Sequence, residues 1–92
     1  MNVSFTSEAE ADLDSIYDFI AQHDDQAATS VVARIFQAIA YLENFPLLGR
    51  PGRIRDTREL SIVGLPDVAV YRIVDPTRID LIAVIHTRQQ FP

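Results

Sequence analysis

Six residues in the last third of the chain have side chains suited to work on a phosphate: Arg58, Glu59, Tyr71, Arg72, His86 and Arg88. Cutting RNA without a metal needs a base near the 2′-hydroxyl, an acid for the leaving oxygen and cations on the phosphate. His86 is the candidate acid or base, because histidine is the side chain suited to proton transfer near neutral pH. Tyr71, Arg72 and Arg88 complete one candidate catalytic set, with Arg58 and Glu59 on a preceding strand. Each residue also has a plain structural use. His86 can pair with Asp67 across a sheet, Tyr71 can pack on Ile82, and Arg58 and Glu59 can form an ion pair. The two histidines, His23 and His86, have no ligand spacing around them, so neither a metal nor another cofactor is expected.

These residues must be positioned by a hairpin. Two runs rich in Val and Ile, Val68–Val74 and Ile79–His86, flank Asp75-Pro76-Thr77-Arg78. Asp favours the first position of a type I turn, and the fixed φ of Pro suits the second. The register that sets Val74 opposite Ile79 puts Arg72 opposite Leu81, Tyr71 opposite Ile82, Val70 opposite Ala83 and Asp67 opposite His86. Strict alternation then separates two faces. Val68, Val70, Val74, Ile79, Leu81, Ala83 and Ile85 share the face expected to be covered. Tyr71, Asp80, His86 and Arg88 share the other with Ala69, Ile73, Ile82 and Val84, and recognition or chemistry is expected there.

The chain of 92 residues is long enough for one modest core, so a single domain spanning 1–92 is expected. With 48% hydrophobic and 23% charged residues, it has the balance of a folded globular protein. It contains no cysteine, so thiolate chemistry and disulfides are excluded. The start, MNVSFTSEAEADLD, lacks the basic-then-apolar pattern of a signal peptide. No run approaches the ~20 apolar residues that span a bilayer, and the expected compartment is the cytoplasm. The net charge of −5 is unevenly placed. Residues 1–48 carry eight acids against Arg34 alone, whereas residues 49–92 carry seven arginines against five acids. All eight basic residues are arginine, whose planar fork suits carboxylates and phosphates.

Upstream, Asn2–Thr6 alternates as a short strand. Ser7-Glu8-Ala9-Glu10 fits a capping box, with Ser7 as N-cap and Glu10 reaching back. Ala9, Leu13, Ile16 and Ile20 form the apolar stripe of a helix running to about Gln22. After His23-Asp24-Asp25, where either Asp can cap, Ala28, Val32, Ile35, Ile39 and Leu42 form the stripe of a second helix to about Asn44. So short a connection folds the two back antiparallel. Phe45-Pro46 ends the second helix. Leu47–Asp56 reads as a Gly/Pro-punctuated arginine loop, and Thr57–Val63 as a strand with Leu60 and Ile62 on one side. The expected class is α+β: an N-terminal strand, then an antiparallel helical hairpin packed on a mainly antiparallel C-terminal sheet.

The pattern Ala11-x-Leu13-x-x-Ile16-x-x-x-Ile20, then Leu42-x-x-Phe45-Pro46-x-x-Gly49-Arg50 and Thr57-Arg58-Glu59-Leu60, continues through Val70-Tyr71-Arg72-Ile73 to Val84-Ile85-His86-x-Arg88. Over essentially its whole length the chain resembles the ParE branch of the ParE/RelE toxin superfamily. The resemblance implies the toxin of a two-gene toxin–antitoxin module, silenced by a ParD-like antitoxin and reaching operator DNA only through it. ParE toxins trap DNA gyrase on cleaved DNA, whereas RelE toxins cut mRNA on the ribosome. The shared fold does not choose between these targets.

Charge favours the first. The chain is acidic and lacks lysine, and Ser61, Val63, Val68 and Val70 stand where RelE-type enzymes place a basic mid-sheet cluster. An enzyme seeking the ribosome gains from positive charge. The expectation is therefore a toxin that is not an enzyme and inhibits gyrase, with Arg58, Tyr71, His86 and Arg88 as target contacts and Gln89–Pro92 as a contact tail. The alternatives are a ribosome-dependent mRNA endonuclease and a degenerate, non-toxic partner of the antitoxin acting as co-repressor. For antitoxin binding, Phe19, Tyr41 and Phe45 point partly off the helical seam and are expected to line a groove for an amphipathic segment. Arg50, Arg53 and Arg55 are placed to meet an acidic partner, and a sheet edge to accept an added strand.

Overall fold

The computed structural model describes residues 1–87. Strand β1 (Asn2–Phe5) leads into helices α1 (Ser7–Ala21) and α2 (Asp25–Tyr41), followed by β2 (Arg50–Pro51), β3 (Arg58–Ser61), β4 (Asp67–Asp75) and β5 (Arg78–His86). The sheet order is β1-β5-β4-β3-β2. The three long C-terminal strands are antiparallel as expected. The first strand adds beside the last, in parallel, through Val3↔Ile79 and Phe5↔Leu81. That makes the sheet mixed. The arginine loop also contributes a two-residue outer strand, β2, on β3. Its sequence carries too little β pattern to be legible, because Gly49, Pro51 and Gly52 punctuate it.

The helical stripes form as the periodicity predicts. Ala9, Leu13 and Ile16 of α1 meet Ile35, Ile39 and Leu42 over one face of the sheet, against Leu60, Ala69, Tyr71, Ile79, Leu81 and Val84. Asp24 caps α2, its side chain accepting from the Ala27 N–H at 3.1 Å. At α1 the expected capping box is displaced by one residue. Thr6 is the N-cap, and its hydroxyl oxygen accepts from the Ala9 N–H at 3.1 Å. The reason is topological. β1 pairs with β5 up to Phe5, so the helix begins immediately after it, and Thr6 also donates its hydroxyl to the Ile82 carbonyl at 3.1 Å. Helix α2 stops at Tyr41, short of Asn44, and the chain continues in turns closed by Phe45 N–H to Tyr41 C=O at 2.9 Å.

The β4–β5 hairpin keeps its expected turn. The Asp75 carboxylate accepts from the Thr77 N–H at 2.8 Å and from its hydroxyl at 2.9 Å, which holds that carboxyl below its usual range. The expected register holds at Asp67↔His86 and Val70↔Ala83. Between them and the turn it shifts: Tyr71 lies opposite Leu81, Arg72 opposite Asp80 and Ile73 opposite Ile79. Two bulges bound this stretch. One leaves Ile82 unpaired on β5 and the other leaves Val74 unpaired on β4, so their offsets cancel.

The bulge at Ile82 overturns the expected faces. It advances the alternation by one, so Ile79 and Leu81 share the helix-covered face with Val84 and His86. Tyr71 joins them and is fully buried, while Val74 is exposed. The expectation that Tyr71 and His86 lie on an exposed face is therefore corrected. The open side of the sheet carries Val70, Arg72 and Glu59, and the helical side carries Ala69, Tyr71 and Leu60.

Candidate functional site

Tyr71 holds the approach loop rather than facing solvent. Its hydroxyl accepts from the Gly49 N–H at 2.9 Å and donates to the Pro46 carbonyl at 2.7 Å. Arg58 Nη1 donates to the Gly49 carbonyl at 2.7 Å, so both backbone groups of one glycine are fixed by side chains from adjacent strands. A Cβ on Gly49 would sit 2.8 Å from the Tyr71 ring and hydroxyl and 2.9 Å from the Glu59 carbonyl, so only glycine fits. Burial pushes the Tyr71 hydroxyl's pKa up, which keeps it protonated through the neutral range.

Glu59 fixes the other side of the loop. It is buried on the open face of the sheet, across from Val70, and does not pair with its neighbour Arg58, which points to the opposite face. Instead Arg50 Nη2 lies 3.2 Å from Oε1, while the Arg53 N–H donates to Oε2 at 3.0 Å and Arg53 Nε lies 3.7 Å away. The Arg53 backbone hydrogen bond leads, with the charges of Arg53 and Arg50 adding, in holding the Glu59 pKa below 4.5 against its desolvation. Arg50 and Arg53 thus anchor the loop and are only partly available to a partner.

His86 Nδ1 lies 2.5 Å from Asp67 Oδ1, the cross-strand pair expected from the register, and both residues are buried. The ring of Phe19 stands edge-on to the imidazole, 5.8 Å between centroids. Phe19 and His86 line a hollow of about 360 Å³ with Ile20, Val31, Leu65 and Pro66. Tyr41 lines a different hollow, of about 240 Å³, with Arg34, Ala38, Leu48, Ile62 and Val63. From Val31 to Tyr41 is about 15 Å along α2 at 1.5 Å per residue, so the single groove expected for Phe19, Tyr41 and Phe45 is corrected to two separate hollows. Phe45 is exposed and lines neither hollow, although it is close in sequence to the exposed Leu47 and Leu48. The outer edge of β3 is open past Glu59, because β2 reaches only Arg58 and Glu59.

The arginines sort by partner. Arg78 pairs with Asp80 at 3.3 Å, and Arg34 donates to the Val63 carbonyl at 2.7 Å. Among the described residues, Arg55, Arg58 and Arg72 have no carboxylate within 4.0 Å, and all three line one open groove of about 560 Å³. Arg88 and the tail Gln89–Pro92 lie outside the described residues. Of the six residues singled out for phosphate chemistry, five are described, and of those only Arg58 and Arg72 line a common groove, which they reach from opposite faces of the sheet. Arg55 was legible only as one arginine of a loop. Among the described residues no cluster of three metal-ligating side chains occurs, and no helix is long and apolar enough to cross a membrane.

Residues 3–91 match the family model described as the ParE toxin of the type II toxin-antitoxin system parDE. The chain is 40% identical over 90 residues to "Putative toxin Y4kP" of Sinorhizobium fredii, covering 98% of this chain and 92% of that one. Its fold superposes on a structure of a chromosomal ParDE toxin–antitoxin system from P. aeruginosa with a TM-score of 0.82 at 26% identity, covering 94% and 95% of the two chains. A RelBE2 toxin–antitoxin complex from Mycobacterium tuberculosis gives 0.64 at 27% identity, covering 92% and 95%. The chain belongs to the ParE toxin family of type II toxin–antitoxin systems.

Proposed function

We propose, proceeding from membership of the ParE toxin family, that this chain inhibits DNA gyrase without being an enzyme and is silenced by a ParD-like antitoxin in the cytoplasm. The observation that carries the non-enzymatic reading is the fate of the proton-transfer candidates. Tyr71 is spent on Gly49 and Pro46, and His86 on Asp67, both beneath the helices. Arg72 stays exposed on the open side of the sheet, and among the described residues neither Tyr71 nor His86 shares that side with it. A guanidinium alone recognises anions but does not move protons at neutral pH. The buried Tyr71 and His86 drop out as target contacts, and Arg58 remains, half-buried at the loop.

Purified gyrase separates the readings. Gyrase trapped on cleaved DNA at stoichiometric toxin is the expected result, with translation of a reporter mRNA unaffected. Cleavage of mRNA without any effect on gyrase would overturn the proposal in favour of the endonuclease. Silence in both assays with antitoxin still bound would identify a non-toxic co-repressor.

Two of the similar structures are of toxin–antitoxin assemblies, which supports an antitoxin as partner. On this chain the surface suited to one is the hollow along α2. Tyr41 is 61% and Val63 87% exposed there, beside Leu48 and the open β3 edge. An amphipathic antitoxin segment seated on Tyr41 would bury apolar area and set backbone against that edge. Phe19, Phe45 and the loop residues Arg50, Arg53 and Arg55 are secondary contacts on this reading.

A further inference from the structure

We propose that the groove lined by Arg55, Arg58 and Arg72 is a binding site for the phosphates of a nucleic-acid strand. Its walls are contributed by Gly52 and Ile54–Arg58 on one side and by Arg72, Ile73 and Val74 on the other. No residue of α1 or α2 lines it, so the acidic half of the chain, where eight of the thirteen acids lie, stays out of its walls. One acid, Asp56, lines it against three arginines, a local excess of positive charge on a protein of net charge −5.

The arginines are also free to serve. Arg50, Arg53 and Arg78 are taken by Glu59 and Asp80, whereas none of the groove's three has a carboxylate within 4.0 Å among the described residues. Arg58 lines the groove from the side of the sheet opposite Arg72; it is half-buried and uses Nη1 on the Gly49 carbonyl, which fixes the guanidinium in place rather than neutralising it. A single carboxylate in the groove would leave two guanidiniums uncompensated, whereas successive phosphates of a strand answer the three in turn. The volume of about 560 Å³ accommodates a unit of nucleotide size, with Ile54, Ile73 and Val74 supplying apolar walls for the sugar between phosphates. The site is independent of which macromolecule the toxin poisons.

The test is fluorescence anisotropy of a labelled single-stranded DNA 12-mer titrated with the purified toxin at several salt concentrations. Saturable binding that weakens with salt is expected. The double variant Arg55→Gln/Arg72→Gln, both positions exposed, is expected to bind at least tenfold more weakly. Its log K against log salt slope should be shallower by about 0.7 per lost phosphate contact. Arg34→Gln, which removes a charge outside the groove, is the control and should leave affinity within about twofold. Absence of saturable binding at about 50 mM salt would overturn the proposal, as would equal losses in the control and the double variant. Displacement of the strand by polyglutamate as readily as by unlabelled DNA would also overturn it, and would assign the groove to an acidic peptide.

Discussion

At the scale of single residues, two buried polar groups decide the shape of the arginine loop. Tyr71 is the first. Removing its hydroxyl in Tyr71→Phe leaves the Gly49 N–H and the Pro46 carbonyl without their partner. An unmet buried polar group costs about 1–3 kcal/mol, so the variant should melt several degrees lower while keeping its fold. A melting temperature unchanged within error would mean that water replaces the hydroxyl. Glu59 is the second, and its effect depends on pH. Its folded-state pKa lies below 4.5, so its contribution is fully present above that value and is lost as pH falls through the folded pKa. The gap in melting temperature between the wild type and Glu59→Gln should therefore be widest at neutral pH and narrow towards pH 3. A gap that widens on acidification would contradict the arrangement. Neither role was legible from residue type. From sequence, Tyr71 reads as packing on Ile82 or as a candidate for chemistry and Glu59 as the partner of Arg58, and only their actual partners show that they hold the loop.

At the scale of elements, the bulge at Ile82 governs which side chains the sheet hides. Two backbone groups of β5 at and just past it are met from outside the hairpin. Thr6 donates to the Ile82 carbonyl, and the Asp12 carboxylate accepts from the Val84 N–H at 3.0 Å. Beyond Phe5, where β1 ends, these two side chains stand in for the missing strand along the β5 edge. Asp12→Ala should lower stability by about 1–2 kcal/mol, as loss of a charge-assisted hydrogen bond implies. Amide exchange should localise the effect, with Val84 losing protection ahead of the Val70–Ala83 pairs. Uniform loss across the sheet would mean that the bulge has no independent role. The helices were legible to within about three residues at their ends, because a 3.6-residue stripe repeats several times within each. The strand faces were not, because one unpaired residue reverses an alternation of period 2. The two-residue strand β2 is too short to display any period.

At the scale of the molecule, charge and apolar surface are segregated. The helical half carries most of the acid, the loop and sheet carry the arginines, and two apolar hollows sit at opposite ends of α2. This separation makes the antitoxin proposal divisible. Tyr41→Asp should abolish co-purification with the antitoxin, or weaken it at least tenfold. Phe19→Asp, at 39% exposure and beside His86, should weaken it less. Circular dichroism of both variants checks that the fold survives. Equal retention of antitoxin by Tyr41→Asp and the wild type would move the docking surface elsewhere.

The sequence by itself determined the order of elements apart from β2, the two helical stripes, the turn at Asp75–Arg78, the Asp67–His86 pairing and the family. These depend on local period, on turn chemistry or on motifs in linear order, all of which neighbouring residues carry. Only the tertiary structure decided that Tyr71 and His86 lie beneath the helices, that Glu59 binds Arg50 and Arg53, and that Arg55, Arg58 and Arg72 converge on one groove. Those outcomes hang on hydrogen bonds and ion pairs between residues far apart in the chain. The bulge that turns the sheet over is met by Thr6 and Asp12, 76 and 72 residues before the groups they satisfy. No window of sequence around Ile82 contains that information.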